Sequence, residues 1–262
     1  MTTIALCGIA GLCAISNSLG DEPAPTKWTV DGTEREALVY VPSTSAKGKT
    51  AVIFAFHGHG GNMHFAARGM TFQDHWPQAI VVYPQGLPTP GIIMDREGKQ
   101  PGWQREPGQE GDRDLKFVDA ILASLREKYS IDENRVYVTG FSNGGLFTYL
   151  LLSQRPNQFA AFAPGGAVLL PKVPLTRARP VLHYGGQSDQ LARFEKQQAT
   201  IDQIRKFNGC AERGESCGPS CTLYLSSKSA PVETFIHPYG HFYPPAVTSL
   251  IVKFFKEHPR ES

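Results

Sequence analysis

The sequence predicts an α/β fold: a mostly parallel sheet with helices on both faces. Three observations carry that reading. Short β-branched or aromatic runs alternate with stretches of helical periodicity along most of the chain, several of those runs are apolar throughout, and a G-x-S-x-G pentapeptide stands directly between a strand pattern and a helix pattern.

Taken in order, residues 27–30 and 36–41 read as a hairpin around Asp31-Gly32. Residues 51–56 read as a fully buried strand ending in His57-Gly58, and the apolar run 79–83 is stopped by Pro84. From Gly86 to Gly111 proline, glycine and charge accumulate, which predicts a long ordered loop over the top of the sheet, with Trp103 inside it. Leu115, Val118, Ile121, Leu122 and Leu125 mark an amphipathic helix. Residues 135–139, Arg-Val-Tyr-Val-Thr, read as a buried strand, and Leu146, Phe147, Leu150 and Leu151 recur at helical spacing after it. Further strands fit residues 159–162, 180–184, 222–225 and 232–236, and further helices residues 191–207 and 246–255. In such a sheet the loops at the C-terminal ends of the strands carry function.

The chain has 262 residues, 41% of them apolar, with no linker or repeat to divide it, so residues 21–262 are expected to form a single α/β domain. The net charge of +2 comes from interleaved charges without a long basic run, which gives no support to a nucleic-acid or membrane partner. Residues 1–20 carry no charged side chain and hold a weakly apolar stretch before Asp21-Glu22-Pro23. This resembles a signal peptide and predicts a secreted or periplasmic protein. Two of the five cysteines lie in that leader; Cys210, Cys217 and Cys221 crowd into one segment, where one disulfide joining Cys210 to Cys221 or Cys217 is expected. No histidine stands at a ligand spacing beside them, and no further ligand accompanies His57 and His59, so no metal is expected.

The pentapeptide is Gly140-Phe141-Ser142-Asn143-Gly144. A strand that turns directly into a helix at Ser142 strains the backbone there and raises the hydroxyl above the sheet. The helix then points its positive end and the amide of Asn143 at the same place. A serine hydroxyl is a weak nucleophile at neutral pH and needs an imidazole base held by a carboxylate, in the chain order Ser, acid, His. Asp189 follows the strand at 180–184 and is the expected acid, ahead of Asp202, whose helical surroundings suit a solvated residue. His241 follows the last strand and is the expected base, ahead of His237 at the strand's end. The second oxyanion donor should come from His57-Gly58-His59-Gly60-Gly61-Asn62, with the amide of His59 as partner to that of Asn143. Trp103, Phe141 and Phe242 are the aromatics expected to face the substrate.

H-G-H-G-G-N at 57–62, Y-P-Q-G-L-P at 83–88, G-D-R-D-L-K-F-V-D-A at 111–120, R-V-Y-V-T-G-F-S-N-G-G at 135–145 and G-H at 240–241 together resemble one group, over about residues 28–257. It is the polyhydroxybutyrate-depolymerase-type and feruloyl-esterase-type serine esterases of the α/β-hydrolase superfamily. The resemblance implies a secreted carboxylic ester hydrolase without cofactor, acting through a Ser-His-Asp triad and an acyl-enzyme. Its substrates would be plant cell-wall phenolic esters or polyhydroxyalkanoate-like polyesters. The alternatives are an acetyl esterase acting on polysaccharide, a serine peptidase of the same fold and a non-catalytic binding protein. Two departures from the group alter the rim of the site: Gly185-Gly186 where His-Gly is usual before the acid, and Pro238-Tyr239 where glycines are usual before the histidine.

Overall fold

A computed structural model describes residues 22–43, 45 and 48–260; the expected leader lies outside them. The described residues open with a hairpin of β1 (Thr26–Val30) and β2 (Thr33–Tyr40), joined at Asp31 and Gly32, both at positive φ. β3 (Thr50–Phe56) is buried along its whole length. Two helices follow, α1 (Met63–Met70) and α2 (Phe72–His75), then β4 (Ile80–Pro84). The long loop carries a two-stranded ribbon of β5 (Leu87–Pro88) and β6 (Pro101–Gly102) and a turn at Gln109–Asp112 with Glu110, Gly111 and Asp112 at positive φ, and it leads into α3 (Arg113–Lys128). Next come β7 (Ile131–Phe141), α4 (Asn143–Gln154), β8 (Ala161–Gly165), β9 (Val181–Gly186) and α5 (Phe194–Asn208). The chain closes with β10 (Glu215–Gly218), β11 (Cys221–Tyr224), β12 (Val232–His237) and α6 (Val247–Glu257).

Among the described residues ten strands join in one sheet, in the order β1-β2-β4-β3-β7-β8-β9-β12-β11-β10. The six central strands, from β4 to β12, are mutually parallel, and an antiparallel hairpin closes each side. Alternation along β3 explains the two layers. Val52, Phe54 and Phe56 face a core shared with α3, α4 and α5, whereas Ala51, Ile53 and Ala55 face one shared with α1, α2 and α6. The predicted fold class is the one observed.

Several details differ from the sequence expectation. The strand expected at 159–162 is displaced to β8, because Phe159 turns edge-on into Phe54 and Phe162 before the ladder begins. The helix expected from residue 191 starts at Phe194, since the amides of Leu191 and Ala192 fold back onto Asp189. α1 has a short apolar face of Met63, Ala66, Ala67 and Met70, too brief to stand out as a helical pattern, and is capped by the Asn62 side chain accepting from the Phe65 amide.

The disulfide is also a correction. Cys217 pairs with Cys221 across the tight β10–β11 turn, where their Cα atoms lie 5.1 Å apart, and Cys210 is free. Cys210 is held away from that hairpin by an isolated bridge to Ser226. Among the described residues no helix is long and apolar enough to cross a membrane.

Candidate active site

The turn from β7 into α4 is as sharp as the pentapeptide predicts. Ser142 sits at φ 59°, ψ −119°, strained for a residue with a side chain, and is held there by its amide donating to Gly165 O at 2.9 Å and its carbonyl accepting from Leu146 N at 2.9 Å. A Cβ at position 140 would lie 2.3 Å from Gly144 O, and one at 144 would lie 2.4 Å from Phe56 O. Both glycines are therefore required by the close approach of strand, helix and β3.

Loops from β9 and β12 bring two further groups to the serine. His241 Nε2 lies 2.9 Å from Ser142 Oγ, and His241 Nδ1 lies 2.7 Å from Asp189 Oδ2. With Nδ1–H donating to the carboxylate, Nε2 is free to accept the serine proton. Asp189 is buried, and its charge is met by other donors: the amides of Leu191 and Ala192, each 2.9 Å from Oδ1, and Gln197 Nε2, 3.3 Å from Oδ2. Behind Gln197 a buried chain continues. His183 Nε2–H donates to Gln197 Oε1 at 3.0 Å, and the Tyr149 hydroxyl donates to His183 Nδ1 at 2.6 Å. Burial lowers the His183 pKa to about 4, so this imidazole is neutral at ordinary pH.

Neither competing residue reaches the serine. His237 ends β12, where its Nδ1 accepts from Tyr239 N at 3.3 Å, and Asp202 lies on α5 against Arg205 and Gln198.

The segments expected to supply the oxyanion donors are held by bonds to one another and to the long loop. Asn143 opens α4, so its amide has no intrahelical acceptor. The amide of His59 has no acceptor among the described residues. The His59 imidazole lies 3.1 Å from Asp95 Oδ2, and that carboxylate also accepts from the amides of Lys99 and Gln100; these two donors, foremost, hold its pKa below the usual carboxylate range. His57, two residues earlier, is buried and neutral: Nδ1–H donates to Gly58 O at 2.7 Å, Nε2 accepts from Gly86 N at 3.0 Å, and burial lowers its pKa to about 4. It ties the loop after β3 to the loop after β4, a role its sequence position did not reveal.

The three aromatics expected to face substrate take different places. Trp103 is fully buried and corrects the expectation. Its indole stacks on Phe147 and donates from Nε1 to His57 O at 2.9 Å, while its backbone holds the Asn143 carboxamide. It ties together the segments expected to supply the oxyanion donors. Phe141 packs behind the base, its ring centroid 4.8 Å from that of His241. Phe242 is 41% exposed at the rim.

Among the described residues, Cys217, Cys221 and Glu233 bring potential metal-ligand atoms within 4.8 Å of one another, but both sulfurs are spent in the disulfide and offer no thiolate.

What the arrangement can do is acyl transfer. A hydroxyl, a base within hydrogen-bond reach and a buried carboxylate bonded to that base are parts an acyl-enzyme reaction needs, and the free amides of His59 and Asn143 are candidate donors to its oxyanion.

Residues 103–197 match the model of the prolyl oligopeptidase family, a stretch that includes Ser142 and Asp189 and ends before His241. The chain is 28% identical over 207 residues to a bifunctional acetylxylan esterase/xylanase of Neocallimastix patriciarum, covering 74% of this chain and 28% of that protein. It is 25% identical over 238 residues to a probable feruloyl esterase C of Aspergillus flavus, covering 87% and 84%. Among solved structures, an acetyl xylan esterase from Aspergillus awamori superposes with a TM-score of 0.66 at 16% identity, over 89% of this chain and 99% of that one. A ferulic acid esterase superposes with a TM-score of 0.64 at 14% identity, over 89% and 97%. The chain has the α/β-hydrolase fold, and its sequence is similar to that of esterases of the feruloyl esterase type.

Proposed function

We propose that this chain is a serine carboxylic ester hydrolase that works through an acyl-enzyme, with Ser142 as nucleophile, His241 as base and Asp189 as its orienting acid. The observation that carries the reading is the pair of short contacts from His241, 2.9 Å to Ser142 Oγ and 2.7 Å to Asp189 Oδ2. His241 takes the proton of Ser142 as its oxygen adds to the ester carbonyl, and the amides of His59 and Asn143 receive the negative charge. The imidazolium then returns the proton to the departing alcohol. Water, activated by the same base, releases the acid and frees the serine.

Similarity to feruloyl and acetylxylan esterases supports esters of the plant cell wall as substrates, phenolic acyl or acetyl groups on polysaccharide. Polyhydroxyalkanoate-like polyesters are the alternative carried by the sequence motifs. The uncharged composition of residues 1–20 supports export to where such polymers lie.

The test is hydrolysis of p-nitrophenyl acetate, methyl ferulate and acetylated xylan by the protein and by Ser142→Ala, with a peptide p-nitroanilide alongside. Ester turnover lost in the variant is expected. Turnover of the peptide alone would move the reading to the peptidase that the prolyl oligopeptidase match allows, and none at all by folded protein would end the hydrolase reading.

A further inference from the structure

Among the described residues, apolar exposure is concentrated on the loops next to His59, Asp189 and His241. Nine large apolar side chains are exposed among the described residues, and six of them, Ile92, Ile93, Met94, Leu191, Tyr239 and Phe242, lie on loops that carry or touch the site residues. They form two ridges of different chemistry. Ile92, Ile93 and Met94 are aliphatic and stand beside His59, whose imidazole is bound to Asp95 at the end of the same loop. Tyr239 and Phe242 are aromatic and flank His241 in sequence, with Leu191 two residues beyond Asp189.

The reaction itself assigns the aromatic ridge. The proton that His241 takes from Ser142 must go to the leaving alcohol oxygen, so that oxygen comes within hydrogen-bond reach of His241 Nε2. The rest of the alcohol then continues over the loop that holds His241. That loop presents Tyr239, 64% exposed, and Phe242, 41% exposed, with ring centroids 5.9 Å apart and both resting on the His237 ring, at 6.0 and 4.8 Å.

The platform is held in place before any ligand arrives. Ser188 N donates to Tyr239 O at 3.0 Å, Ser188 Oγ donates to Pro238 O at 2.8 Å, and a Cβ on Gly186 would lie 2.2 Å from Tyr239 O, so the loop is pressed flat against the end of β9. Two open rings on a fixed backbone make a surface for a ring with an apolar face, at little cost in ordering.

We infer that Tyr239 and Phe242 form the subsite for the alcohol half of the ester, and that this half is a ring-bearing alcohol, a sugar or a phenol, which stacks on them. The inference rests on the esterase reading and adds to it which residues choose the alcohol, independently of the acyl group.

The experiment holds the acyl group constant and varies the alcohol: methyl acetate, phenyl acetate and peracetylated xylose, assayed with wild type, Tyr239→Ala/Phe242→Ala, Tyr239→Phe and Leu225→Ala. The readout is the ratio of kcat/KM on each ring ester to kcat/KM on the methyl ester. The double variant should lower that ratio about 10-fold or more, Tyr239→Phe should keep it within about 2-fold, and Leu225→Ala, remote on the surface after β11, should leave it unchanged. A fall on the sugar ester alone identifies a saccharide alcohol, a fall on the phenyl ester alone identifies an aryl alcohol, and a fall on both identifies stacking common to the two. A ratio that stays constant in the double variant overturns the subsite while leaving the esterase intact. Wild-type protein that turns over none of the three ends both readings.

Discussion

The carboxamide of Asn143 grips the backbone of Trp103 from both sides, accepting from its amide at 2.7 Å and donating to its carbonyl at 3.1 Å. The side chain of the residue whose amide is proposed to receive the oxyanion is thus fixed to a separate loop. The same tryptophan is fixed by its indole to His57, two residues before the other proposed donor. One buried residue sets the spacing of both.

Asn143→Ala should therefore lower kcat about 10- to 100-fold with little change in KM, a part of the roughly 3 kcal/mol that a whole oxyanion donor supplies. Asn143→Asp keeps an acceptor for the Trp103 amide but offers no donor to its carbonyl, and should be similarly impaired. Steady-state kinetics on one ester decides; a wild-type kcat in both variants would remove Asn143 from this role.

Asp189→Asn places a neutral amide against His241 Nδ1 and favours the wrong tautomer. A loss in kcat of order 10⁴ is expected with the fold intact by circular dichroism. Gln197→Leu removes only one donor to the carboxylate and should cost far less, about 10-fold. If the two variants lost the same activity, Asp189 would be acting as structure alone.

Stability should fall as the solution is acidified. His57 and His183 are each lowered by burial from the ordinary 6.5 to about 4, so the unfolded chain binds their protons first. Their contribution is complete above about pH 6.5 and is lost as pH falls to about 4, on the order of 3 kcal/mol for each. Glu233 acts in the opposite sense: burial raises it to about 7, which costs stability as pH rises above 4.5. The sulfur 3.3 Å from its carboxylate belongs to the disulfide and has no proton to give. Urea midpoints should therefore decline between pH 6.5 and 4, and Glu233→Gln should stabilise the protein by about 2 kcal/mol at pH 8 but not at pH 4. A flat profile, or a Gln variant that gains nothing at pH 8, would contradict these assignments.

The Cys217–Cys221 bond closes a sequence separation of four on an edge hairpin. Its loss by Cys217→Ser/Cys221→Ser should cost about 2 kcal/mol by loop entropy and leave kcat unchanged. Peptide mapping of the unreduced protein should find Cys210 free among Cys210, Cys217 and Cys221; label on Cys217 or Cys221 instead would refute the pairing.

Much of this architecture was legible in the sequence because the information is local. Residues 51–56 and 135–139, the hearts of β3 and β7, announce themselves by β-branched and aromatic runs, and the serine by the glycines that its turn requires. Ser142, Asp189 and His241 could be ordered along the chain because each follows a strand. Trp103 was misplaced because a loop residue with a polar ring nitrogen gives no sign in sequence of whether it points out or, as here, beneath the site to the His57 carbonyl. The polar chain of Tyr149, His183 and Gln197 was equally silent, since its members are 34 and 14 residues apart and meet only through the sheet. The cysteine pairing failed for a related reason: three thiols in one segment do not disclose which pair a hairpin will bring face to face.

The flanking hairpins have a consequence for how the molecule behaves at high concentration. A large parallel sheet invites other chains to extend it, because its last strand carries unpaired amides and carbonyls. Here the outermost strand on one side is β1, with Lys27 in an ion pair with Glu34 at its surface. On the other it is β10, four residues long, interrupted by a register shift and tied back by its disulfide. Among the described residues neither border offers a long flat run to a neighbour, so crowding should not seed strand-to-strand aggregation.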